Sequence, residues 1–204
     1  RTVAKHLIYL AAGSGRRFGG NKLLYPLEGR PLFFYGLETL FRAVQLRPEC
    51  SLTVVSRYPQ ILEAAQAAGG RAVDSPHSER GLSYTIRAAL DALPPLNGED
   101  FLFFAVADQP WLEVDTLLRL VDAARPGVPG GTAAFGERVG NPTFFSAALF
   151  PKLYALTGDQ GGRPILRELG ADCIRIQAEH PWELDDLDTP PPYPFPIKRR
   201  TSGI

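Results

Sequence analysis

Short apolar runs alternate along the chain with segments whose apolar residues recur at helical spacing. Runs of strand length fall at 6–11, 52–56, 71–73, 101–107, 132–135, 142–146 and 173–177. Between them, Phe33, Leu37, Leu40, Phe41 and Val44 share one helical face, as do Leu82, Ile86, Leu90 and Leu93, and Leu117, Leu120, Val121 and Ala124. A shorter helix is expected over 59–68, stopped by Gly69 and Gly70. This alternation predicts βαβ units around a mainly parallel sheet, with each helical stripe covering one of its faces. The expected fold is therefore α/β, a single-domain three-layer α/β/α sandwich. Residues 101–107 are apolar on both sides of the strand, which predicts a central place in the sheet.

Glycine and proline cluster at 93–98, 125–131 and 189–196 and mark loops and a tail rather than linkers. One domain over 1–189 and a Pro-rich tail over 190–204 are expected, because the run from Pro190 to Pro196 cannot form helix interior and favours extended chain. With 204 residues, 45% of them hydrophobic and 22% charged, the chain can fill a sizeable core. Lys plus Arg and Asp plus Glu each number 22, so no overall basic field exists to hold nucleic acid or an anionic membrane. An anionic ligand must be held locally. Cys50 and Cys173 are the only cysteines, too few for a disulfide framework or a Cys-rich zinc site, and read as buried thiols of a reducing, cytoplasmic setting. The apolar run from Leu7 to Ala12 stops at Gly13, short of a membrane span, and a glycine-basic loop stands where a signal-peptide cleavage site would lie. The sequence opens on Arg1 and holds no methionine, so the natural start is expected to lie outside it.

Chemistry concentrates where the first expected strand ends. Leu10-Ala11-Ala12-Gly13-Ser14-Gly15 runs into Arg16, Arg17, Gly19, Gly20, Asn21 and Lys22, three cations within seven residues. Glycines let successive N–H groups converge on one ligand, and such nests bind phosphate while Arg and Lys neutralise it. A Walker loop needs Ser or Thr after Gly-Lys, yet Lys22 stands between Asn21 and Leu23; a dinucleotide fingerprint needs GxGxxG, yet Gly13, Gly15 and Gly19 give GxGxxxG. A polyphosphate site of another kind is the reading, with a plain glycine-rich turn as the alternative.

Asp108 closes the most apolar run, at the strand end where ligands of open α/β sheets bind, and its hard oxygens suit Mg²⁺; the alternative is a cap for the helix beyond Trp111. Asp185, Asp186 and Asp188 form an acidic loop that is either solvated or metal-binding. Ser83 and Thr85 either meet a nucleoside or cap a helix start. The glycine-rich stretch from Gly158 to Arg163 either grips a phosphate, with Arg163 bidentate, or is a turn before a helix at 164–169. His6, His77 and His180 have no metal-ligand spacing, and Tyr84, Trp111 and Trp182 read as packing residues.

Six segments in order carry a resemblance. Residues 10–24, LAAGSGRRFGGNKLL, resemble the LAAGxSxRxGxxK signature of nucleotidyltransferases, with Arg17 and Lys22 on its two cationic positions and Gly15 where the family has serine. Residues 81–86, GLSYTI, are similar to GxSxS; 107–110, ADQP, to ADQP or ADMP; 140–142, GNP, to GHP or GNP; 158–163, GDQGGR, to GDxGxR; and 186–190, DLDTP, to DIDTP. Together they resemble the molybdenum cofactor nucleotidyltransferases, in their CTP:molybdopterin cytidylyltransferase-like branch of the NTP transferase superfamily.

That resemblance implies a Rossmann-like mixed sheet of the nucleotide-diphospho-sugar transferase type, and transfer of CMP from CTP to molybdopterin with release of pyrophosphate. It implies catalytic roles for Arg17, Lys22 and Asp108, and nucleotide contacts from Leu10, Ala11, Ala12, Gly13, Ser14, Gly15, Arg17, Lys22, Gly81, Ser83 and Thr85. Asn141, Gly158, Asp159, Gly161 and Arg163 are implied to meet the acceptor. Mg²⁺ is the implied cofactor, on Asp108 and Asp186, the latter ahead of Asp188; transient contact with a molybdoenzyme or its chaperone is the implied protein partnership. Two alternatives stay open: a sugar phosphate or other phosphomonoester as acceptor, and a nucleotide-binding partner of a molybdoenzyme without turnover.

Overall fold

In the computed structural model, residues 2–13 and 21–188 are described. Ser14, Gly15, Arg17 and the tail at 190–204 lie outside the described residues. In chain order the elements are β1 (Lys5–Leu10), the hairpin β2 (Pro26–Leu27) and β3 (Arg30–Pro31), α1 (Leu32–Leu46), β4 (Cys50–Ser56), α2 (Pro59–Ala67), β5 (Arg71–Asp74), α3 (Leu82–Ala92), β6 (Phe101–Val106), α4 (Val114–Ala123), β7 (Gly130–Phe135), β8 (Arg138–Ser146), α5 (Phe150–Tyr154), α6 (Arg163–Leu169) and β9 (Cys173–Gln177).

Seven strands form one sheet in the order β5-β4-β1-β6-β8-β7-β9. β6 is the middle strand, as its unbroken apolar run requires. β1 pairs in parallel with β4 and β6, and β4 with β5, while β8 alone runs antiparallel between β6 and β7. The expected three-layer fold is borne out. Strand side chains alternate faces, and each face has its own core. Leu7, Tyr9, Val54, Phe101, Phe103 and Phe144 pack against Leu40, Ile61, Leu117 and Leu120 of α1, α2 and α4. Ile8, Leu10, Val55, Leu102, Phe104 and Phe145 pack against Ile86, Leu90, Leu153 and Ile165 of α3, α5 and α6.

Two details depart from the sequence reading. β8 starts at Arg138, ahead of the expected 142, because the polar segment Arg138 to Asn141 pairs with β7 in a tight hairpin that apolar patterning does not reveal. Cys173 is only half-buried, unlike Cys50. No helix among the described residues is long and apolar enough to cross a membrane.

The chain leaves β1 toward β4 and β5 on one side and returns to β6 on the other, so the strand order reverses between β1 and β6. In open α/β sheets, a crevice forms at the carboxyl ends of the strands on either side of such a reversal. Leu10, Ala12 and Gly13 after β1, and Ala107 and Asp108 after β6, border a cavity of about 640 Å³ there.

Candidate active site

The floor of this cavity is made by strand ends and its rim by loops. Gly13 follows β1, Arg57 follows β4, Asp108 follows β6, Ser78, Glu79 and Gly81 come from the turn leading into α3, and Leu82 and Thr85 from the first turns of α3 itself. Lys22 opens a single 3-10 turn, Lys22–Leu24, whose preceding Asn21 caps it by accepting from Leu23 N at 3.0 Å. Leu23 is buried beneath, which fixes the turn against the domain. The Lys22 ammonium then reaches β6 and donates to Asp108 Oδ2 at 2.8 Å, with Asp188 Oδ1 3.7 Å away.

Carboxylate oxygens of Asp108, Asp186 and Asp188 lie within 4.8 Å of one another. Asp186 is open to solvent on its outer side. Desolvation of its inner side and the neighbouring Asp108 and Asp188 charges push its carboxyl up to about 6. Crowded carboxylates with one lysine among them form a hard-oxygen donor set that fits Mg²⁺ or Mn²⁺. Asp108 does not cap α4, whose N-cap is Glu113.

Buried hydrogen bonds join the two acidic segments. Gln109 donates from Nε2 to Asn141 O and to Glu183 O, both at 2.7 Å, and Leu187 N donates to Asp108 O at 2.8 Å. Glu183, wholly buried, accepts from the backbone N–H groups of Glu113 at 3.1 Å, Glu179 at 3.0 Å and His180 at 3.2 Å. Arg138 adds an ion pair to Asp185 at 2.9 Å and a bond to Leu184 O. Three backbone donors on one carboxylate compensate the cost of taking it out of water. The loop carrying Asp186 and Asp188 is thereby fixed to the end of β6.

A second junction closes the opposite rim. Gly81 precedes α3 with φ of +131°, and a Cβ there would strike the backbone of Gly158 and Asp159. Ser83 N and Oγ both donate to Gly158 O, at 3.1 and 2.7 Å. This close approach carries Asp159 to the cavity wall.

The profile of the MobA-like NTP transferase domain matches residues 7–173. The chain belongs to that family. Among relatives, it is 30% identical to the purine catabolism protein PucB of Bacillus subtilis over 204 aligned residues, covering 91% of this chain and 92% of PucB. Rv0371c of Mycobacterium tuberculosis, with a TM-score of 0.76 and 24% identity over 93% of this chain and 94% of that one, has the same fold and has also been solved in complex with manganese. A nucleotidyl transferase from Methanothermobacter thermautotroptrophicus superposes with a TM-score of 0.71 at 23% identity, covering 91% and 92%. The MobA-like domain is thus a nucleotidyltransferase of the NTP transferase superfamily.

Of the residues singled out in this MobA-like sequence, Leu10, Ala12, Gly13, Lys22, Gly81, Thr85, Asp108 and Asp159 border the cavity. Ala11 instead turns into the core beneath it, its N–H on Val55 O at 2.8 Å. Ser83 is spent on Gly158. Arg163 donates to Gly140 O at 2.6 Å and Thr132 Oγ1 at 3.3 Å, tying α6 to β7 and β8. Asn141 offers its carbonyl to Gln109 and precedes a cis peptide bond to Pro142. Neither Gly158 nor Gly161 borders the cavity; a Cβ at Gly161 would meet Leu82. Sequence reasoning missed Arg57, Ser78 and Glu79 on the cavity wall. It also missed the joining roles of Gln109 and Glu183, of which only Gln109, inside the ADQP segment, left a signal.

Proposed function

We propose that this nucleotidyltransferase moves a cytidylyl group from CTP to a terminal phosphate, molybdopterin being the favoured acceptor. An acceptor phosphate oxygen forms a bond to the α-phosphorus, the bond from that phosphorus to the β-phosphate's bridging oxygen breaks, and pyrophosphate leaves with the electron pair. The observation that carries the reading is the meeting of Lys22 with Asp108 at the wall of a cavity large enough for a nucleotide, with the carboxylates of Asp186 and Asp188 clustered beside Asp108. The nucleophile is already an anion, so the site needs no general base; catalysis rests on in-line positioning and on neutralising charge.

Asp108 and Asp186 would hold Mg²⁺, with Asp188 beside them, and the ion would neutralise charge on the triphosphate. Lys22 lies where it can exchange Asp108 for an incoming phosphate, so its charge serves the leaving pyrophosphate. Arg17 is assigned to the triphosphate, with Ser14 and Gly15 of the same loop. Ala12, Gly13 and Gly81 present a wall without bulk to the nucleotide, with Thr85 beside them. Asn141 and the loop from Gly158 to Arg163 are assigned to the acceptor, and of these Asp159 reaches the cavity wall. The LAAG opening supports a pyrimidine, and the manganese complex of the similarly folded Rv0371c supports a divalent cation. Pyrophosphate release, measured with each NTP in turn and with and without molybdopterin, is expected only with CTP and acceptor together. Release without acceptor, or with none of the nucleotides, overturns the reading.

A further inference from the structure

Two polar atoms of residues in the cavity wall have no hydrogen-bond partner among the described residues although they are shut off from water: Arg57 Nε and Ser78 Oγ. Leaving a buried polar group without a hydrogen bond is costly, so two such atoms on one wall call for a cause. A tie to the rest of the fold is not that cause. The guanidinium of Arg57 gives Nη2 to Tyr58 Oη at 3.0 Å and lies 5.1 Å from the centre of that ring, and Tyr58 Oη in turn donates to Gly13 O at 3.0 Å. Arg57 is therefore held in place by a neighbour that also holds Gly13 at the end of β1, while its Nε has no partner among the described residues.

Position in the sheet says what part of a ligand these atoms face. Lys22 and the three aspartates gather at the end of β6 and claim the phosphates. Arg57 follows β4, on the far side of β1 from β6, two strand spacings or roughly 10 Å from Asp108. A nucleoside whose phosphates sit by Lys22 extends across β1 toward Arg57 and Ser78. Small residues, Ala12 and Gly13, leave the way open between the two ends.

We propose that Arg57 and Ser78 form the base-reading wall of this cavity and select cytosine. The inference rests on the nucleotidyltransferase reading above and adds the residues that choose the base. An arginine can only donate, whereas a serine hydroxyl donates or accepts. Cytosine presents two acceptors, O2 and N3, beside an amino donor. Its N3 and O2 take N–H groups from Arg57, and its amine is met by Ser78 Oγ. Uracil carries N3–H in place of the N3 lone pair, so a donor would face a donor. A site built around such a bond rejects the mismatched analogue far more strongly than a change of pocket size does.

The test uses Arg57→Met, which keeps the length of the side chain and removes its donors, with Ser78→Ala and Tyr58→Phe beside it. Binding of CTP and UTP is measured by titration calorimetry in the absence of any acceptor. The parent should prefer CTP, and Arg57→Met should weaken CTP binding by roughly ten- to a hundredfold, with UTP affected much less, so that the preference collapses. In pyrophosphate assays at saturating CTP its kcat should stay near the parent's, a split that separates base reading from charge stabilisation. Tyr58→Phe should lose part of the preference because it frees the guanidinium. Melting within a few degrees of the parent shows the variants folded. An equal loss for CTP and UTP would place Arg57 on the phosphates and overturn the proposal, as would an unchanged preference. Failure of the underlying reading looks different: a parent that binds CTP selectively but releases no pyrophosphate with any acceptor.

Discussion

Lys22 and Asp108 show how one side chain can occupy two roles in turn. In the fold the lysine, 13% exposed, is the counter-ion of a carboxylate 86 positions away. On the proposed reading, triphosphate would offer it more negative charge, and a cation on the aspartates would release it. Lys22→Ala is expected to lower kcat on the order of a hundredfold or more, the scale of losing one preorganised electrostatic group; a steady-state assay showing only a raised KM would limit Lys22 to binding. Asp186 makes an opposite pair of effects visible. Its carboxylate is crowded by Asp108 and Asp188, so Asp186→Asn should raise the melting temperature of the metal-free protein slightly, within the range of about 1 kcal/mol typical of exposed charges. The same change should raise the Mg²⁺ concentration needed for turnover. Asp108→Asn should raise it too, and the double variant should lose less than the two single losses combined, because both residues serve one ion. Unequal behaviour, with Asp188→Asn impaired and Asp186→Asn normal, reassigns the second carboxylate.

Between elements, the site depends on two junctions that no strand or helix supplies by itself. At the first, Gln109 spans from the end of β6 to Asn141 within β8 and to Glu183 ahead of the acidic loop. Gln109→Leu keeps most of the volume but leaves Asn141 O and Glu183 O without their donor, a loss of about 1–3 kcal/mol. Thermal melting should register that loss, and the Mg²⁺ requirement should rise with it although no metal ligand was touched. At the second, Gly81 is the residue that lets α3 begin against Gly158. Its φ of +131° is rarely adopted by residues with a side chain, and an added Cβ has no room. Gly81→Ala should therefore push the Gly158 loop away from the α3 turn and weaken nucleotide binding at least tenfold, measured by calorimetry. A variant that binds as the parent does would show that the loop adapts.

At the scale of the molecule, the sheet brings distant segments to a single edge, and ligand binding should report on all of it. CTP with Mg²⁺ present should raise the melting temperature in proportion to the logarithm of ligand over its dissociation constant, about 2.7 kcal/mol at a hundredfold excess. Asp108→Asn should abolish the metal-dependent part of that shift in a melting titration. The sequence alone was enough for the layers: helical stripes and two-sided apolar strands are local patterns, and burial on both faces of β6 determines its central place. It was also enough to single out Gly13, Lys22 and Asp108, which border the cavity, since strand ends carry ligands in such sheets and a polar residue after an apolar run is conspicuous. Hydrogen bonding across the sheet was not legible. Glu183 carries no signal in the sequence, yet it is wholly buried on three backbone donors; Arg163 reads as a phosphate grip, yet it clasps Gly140; Arg57 follows an apolar strand without any motif, yet it walls the cavity. The reason is physical. Hydrophobic periodicity is a property of neighbours in the chain, whereas the partner of a charged or polar group is whatever the folded chain brings within about 3 Å, and only the tertiary structure decides that.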